Sequence, residues 1–89
     1  MSSVDDKRIV LGPEHDQDLR TALRDVLRTL GATSIRHDWG VAGSQEFEEL
    51  AVDIGKQRVL VEAETYIGLS ITGPPDLVDH ITKLVNERR

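Results

Sequence analysis

The apolar residues of this chain change their period twice, and that change dictates the fold class. From about Glu14 to Leu30 they fall at Leu19, Ala22, Leu23, Val26, Leu27 and Leu30, one stripe of a helix with 3.6 residues per turn. From Ser34 to Thr72 the spacing drops to the two-residue alternation of half-buried strands, and at Leu77, Val78, Ile81, Leu84 and Val85 it becomes helical again. Helical stripes on either side of a run of strands define an α+β protein.

Punctuation divides the runs. Pro13 suits the start of the first helix, with Glu14, Asp16 and Asp18 near the positive end of its dipole, and Gly31 suits its close. The first strand alternates Ile35, His37, Trp39 and Val41 with Ser34, Arg36, Asp38 and Gly40, and Gly43-Ser44-Gln45 reads as a turn. A second strand carries Leu50, Val52 and Ile54; Gly55-Lys56 is a tight hairpin turn into a third with Val59, Val61 and Ala63. A fourth, Tyr66 to Thr72, places Ile67, Leu69 and Ile71 on one side, and Gly73-Pro74-Pro75 ends it before the last helix.

Consecutive turns predict a meander. The economical architecture is a two-layer sandwich, an antiparallel meander of about four strands with both amphipathic helices on one face, in the order (β)αββββα. The optional first strand is the run Ile9-Val10-Leu11, stopped by Gly12 and Pro13. Residues 1–7 are expected to be a flexible polar tail and 8–89 a single domain.

Composition narrows the function. With no cysteine there is no disulfide, no thiol nucleophile and no cysteine-ligated zinc. Sixteen acidic against eleven basic residues leave a net charge of −5, which weighs against nucleic acid and anionic membranes as partners. No apolar run has the length of a signal peptide core or a membrane span, so the expected location is the cytoplasm.

The sheet face away from the helices is predicted to carry Arg36, Asp38, Glu49, Asp53, Arg58, Leu60, Glu62, Glu64 and Tyr66. Glu62 and Glu64 point the same way with α-carbons about 6.6 Å apart, a separation compatible with acid–base work and equally with a solvated face. His37 would serve as a base only if a carboxylate approached it across strands. His15, His37 and His80 have no metal-site spacing, so no metal or other cofactor is expected. Arg20, Arg24 and Arg28 recur every four residues as a basic line along the outer side of the first helix, which Asp16 and Asp25 would partly neutralise. Glu46, Glu48 and Glu49 surround Phe47 as an acidic cluster.

Glycine-bearing segments offer no phosphate loop, since Gly40 to Ser44 lacks a lysine, and no nucleophile elbow, since Gly68 to Gly73 misses its spacing and leaves Ser70 a sheet-surface serine. These readings lead to a small non-catalytic protein-interaction or regulatory domain that presents an acidic sheet face or edge to a protein partner or a second copy of itself, as a toxin-neutralising or accessory protein would. Its expected binding residues are Glu49, Asp53, Arg58, Leu60, Glu62, Glu64 and Tyr66. The rival from another class is a small enzyme or ligand-binding domain using Glu62, Glu64 and His37. A third reading is nucleic-acid binding through Arg20, Arg24 and Arg28.

Overall fold

The computed structural model describes residues 6–42, 45–64 and 66–88, and of residues 35–42 and 45–47 the backbone alone. The elements run β1 (Lys7–Gly12), α1 (Gln17–Thr29), β2 (Thr33–Ala42), β3 (Gln45–Ile54), β4 (Gln57–Glu64), β5 (Gly68–Gly73) and α2 (Pro75–Arg88). One antiparallel sheet has the order β1-β5-β4-β3-β2, so β2 to β5 form the meander and the optional strand is real. β1 begins at Lys7, within the segment read as tail, and pairs along β5 from Lys7 opposite Gly73.

Asp16, not Pro13, starts α1. The Pro13 carbonyl accepts the Asp16 amide in a turn, and the Asp16 carboxylate accepts the Leu19 amide at 3.1 Å, satisfying one of the free donors of the first turn. At the far end Gly31 takes φ +79°, letting its N–H donate to the Arg28 carbonyl and the Ala32 N–H to that of Leu27, the two bonds of a Schellman close. Asp16→Ala is expected to cost about 1 kcal/mol in urea unfolding, and Asp16→Asn almost nothing because asparagine caps equally well; equal losses in both would refute the capping role.

The core lies between the helices and one face of the sheet. Leu19 and Val26 of α1, Val78, Ile81 and Val85 of α2, and Val59 and Ile71 of the sheet are fully buried. Ile9, Ile71, Val61 and Leu50 stand in one register row across β1, β5, β4 and β3, and all four belong to the core or pack against it. Both helices therefore cover the same side, as two stripes and one apolar sheet face require. They do not cover it equally. α2 rests directly on β1 and β5, whereas α1 leans on α2 and stands farther from the strands.

Candidate functional site

Two surfaces carry chemistry, one on each side of the sheet. On the open side the register aligns Arg8, Thr72, Leu60 and Ala51 in one row and Val10, Ser70, Glu62 and Glu49 in the next. The backbone pairing extends these rows to Arg36 and Asp38 on β2. No helix lies over them, and exposure alternates along β4 with Val59, Val61 and Ala63 buried and Leu60, Glu62 and Glu64 half-buried.

Glu49 and Glu62 are directly opposite each other, a like-charge pair that costs stability in a sheet. Glu62 and Glu64 have no hydrogen-bond or ion-pair partner among the described residues. Asp53 and Arg58, also cross-strand neighbours, meet at 3.3 Å in an exposed ion pair, and Arg8 Nε donates to Ser70 Oγ at 3.3 Å. Ser70 is fully buried under its neighbours, not on the sheet surface as its position in an alternating strand suggested.

Tyr66 is not part of the strand that the alternation predicts over Tyr66 to Thr72. β5 begins at Gly68, so Tyr66 and Ile67 belong to the turn after β4, closed by the Ile67 amide on the Glu64 carbonyl at 3.2 Å. Ile67 accordingly points out of the core. Tyr66, Ile67 and Val10 are the exposed large hydrophobic residues among those described, at 73%, 47% and 51%. A side chain built at Gly68 would lie 3.3 Å from Val10 Cγ1, which brings Val10 beside this turn. Exposed apolar residues thus lie near the end of the strand that carries Glu62 and Glu64, which have no partner among the described residues.

On the helix side, the distance of α1 from the strands leaves a pocket of about 350 Å³. Leu23 and Leu27 form its roof, Leu50, Val52 and Val61 its floor, and Arg20, Arg24 and Arg28 border it. The arginines therefore border a cavity, with Arg24 and Arg28 exposed at its edge. Arg20 is committed there, donating from Nη2 to Glu48 Oε1 at 2.6 Å and from Nη1 to the Glu14 carbonyl at 2.8 Å. The carboxylate paired with Arg20 comes from the sheet, from Glu48 of β3. The acidic cluster around Phe47 is divided as well, Glu48 facing the pocket while Glu49 stands in the open-face row of Glu62.

Glu62 and Glu64, the carboxylates of the enzyme reading, do not line this pocket. The pocket borders on Val61 and Ala63, which alternate with Glu62 and Glu64 along β4 and face the other way. His37 pairs in register with Leu50, one row from Glu62, and its side chain lies outside what is described. Gly43 and Ser44 of the expected turn also lie outside the described residues, while Gln45 opens β3.

Among the described residues no group of three histidine or acidic side chains is arranged to hold a metal ion, and no helix is long and apolar enough to cross a membrane. Compared with family models, curated proteins and solved structures, the chain matches none.

Proposed function

We propose that this chain is a small non-catalytic interaction domain that docks a basic protein partner on its open sheet face. The observation that carries the reading is the conjunction of Glu62 and Glu64, half-buried and without partners among the described residues, with the exposed Val10, Tyr66 and Ile67 at the same end of the sheet. Aromatic anchors surrounded by charge are what concentrate binding energy at protein interfaces, and unpaired carboxylates select and steer a cationic surface. A second copy of this chain fits less well, because its net charge of −5 and its own glutamates would repel the same face.

The test is capture of partners from an extract of the native host by wild type, by Glu62→Lys/Glu64→Lys, and by Tyr66→Ala, with circular dichroism confirming that all three fold. A partner held by wild type should be retained about tenfold less by the double reversal, with an affinity that falls as salt rises. Equal capture by all three proteins would refute this face as the binding surface.

A further inference from the structure

The pocket under α1 lies on the opposite side of the sheet from the docking face and has a chemistry of its own. Its volume, about 350 Å³, is within the roughly 300–1,000 Å³ of small-molecule sites, and its floor and roof are aliphatic. Arg20 is neutralised by Glu48 and forms a fixed wall. Arg24 and Arg28 differ from it: both are exposed, and neither has a hydrogen-bond or ion-pair partner among the described residues. Four residues apart, they stand one helical turn from each other on the same flank, where like charges repel. Two guanidinium groups with no ion-pair partner among the described residues thus border a mostly apolar cavity.

We infer that this pocket binds a small amphipathic carboxylate, its apolar body on Leu50, Val52 and Val61 and its head group at Arg24 and Arg28. A carboxylate matches the fork of a guanidinium with two parallel N–H donors, and it removes the repulsion between the two arginines. An apolar neutral molecule would fill the cavity and leave that repulsion in place, while a short anion would neutralise the arginines and leave the floor wet. One ligand with both parts satisfies both walls.

Decanoate is the probe, with decanol and acetate as its two halves. Titrated into the 15N-labelled full chain, decanoate should shift amide resonances of Leu23, Leu27, Leu50 and Val61 at concentrations where neither half does. In Arg24→Gln/Arg28→Gln, whose exposed glutamines preserve the helix, decanoate affinity should weaken about tenfold or more, as expected on losing charge-assisted hydrogen bonds. Decanol binding as tightly as decanoate, or unchanged decanoate affinity in the double variant, would overturn the inference. So would decanoate shifts confined to Val10, Tyr66 and Ile67. Partner capture at the opposite face should be the same for the arginine variant and wild type, so either proposal can fail alone.

Discussion

Gly68→Ala is expected to lower the melting temperature by about 10 °C or more, while Gly31→Ala lowers it by about half as much or less. Both glycines have positive φ, +111° at Gly68 and +79° at Gly31, so both substitutions place a side chain in backbone geometry that favours glycine, at about 1 kcal/mol or more. Their surroundings separate them. A methyl group at Gly31 meets nothing within 4 Å, but at Gly68 it would lie 2.5 Å from the Gly12 carbonyl oxygen, a backbone atom of the edge strand β1. Relief requires β1 to move off β5, loosening the pairing from Lys7 to Gly12 and the cover over Ile71. A total cost of about 3 kcal/mol is then large against the roughly 5–15 kcal/mol that stabilises an ordinary domain. Thermal unfolding followed by circular dichroism makes the comparison, and equal shifts for the two variants would disprove the close approach of the strands.

The second large effect distinguishes the two sides of the sheet. Ile71→Ala should cost about 2–5 kcal/mol, because the side chain is fully buried at the centre of a row of apolar residues and its loss leaves a cavity between two layers. Leu60→Ala, on the neighbouring strand but the open face, should cost about 1 kcal/mol, since the leucine is only half-buried. Urea midpoints at unchanged slope would report the difference. A loss for Leu60→Ala as great as that for Ile71→Ala would mean that the open face is covered in solution, and would require a second layer there.

The elements with local causes are legible in the order of residues alone. The stripes of α1 and α2 need only the 3.6-residue repeat, the Schellman close needs Gly31, and the β3–β4 hairpin needs Gly55-Lys56 between two alternating runs. Tyr66 and Ile67 mislead because the alternation of Ile67, Leu69 and Ile71 continues past the true start of β5. Whether a residue is in the strand is decided by the turn at Glu64 and by contact with β1, neither of which is visible in hydrophobic spacing.

The same limit applies to the sites. Glu62 and Glu64 on one face follow from a period of two, but the opposition of Glu49 and Glu62 needs the register. The arginine line follows from its spacing, yet the pocket beside it depends on how far α1 stands from the sheet. Its key ion pair, Arg20 to Glu48, joins residues 28 apart in sequence, beyond the reach of any local pattern.

The position of β1 also sets an order of events. The bond from Arg8 to Ser70 spans 62 residues, whereas every neighbouring pair from β2 to β5 is joined by consecutive segments of chain. During synthesis β1 emerges first, but its pairing strand follows almost the whole domain behind it. Short loops close at lower entropic cost than long ones, so the meander is expected to assemble before β1 joins it. Until then the β5 edge has unpaired amides and carbonyls. In a cell, that interval is when a nascent chain of this kind is most open to pairing with the wrong strand, and Lys7 and Arg8, the charged start of β1, belong to the segment whose arrival ends it.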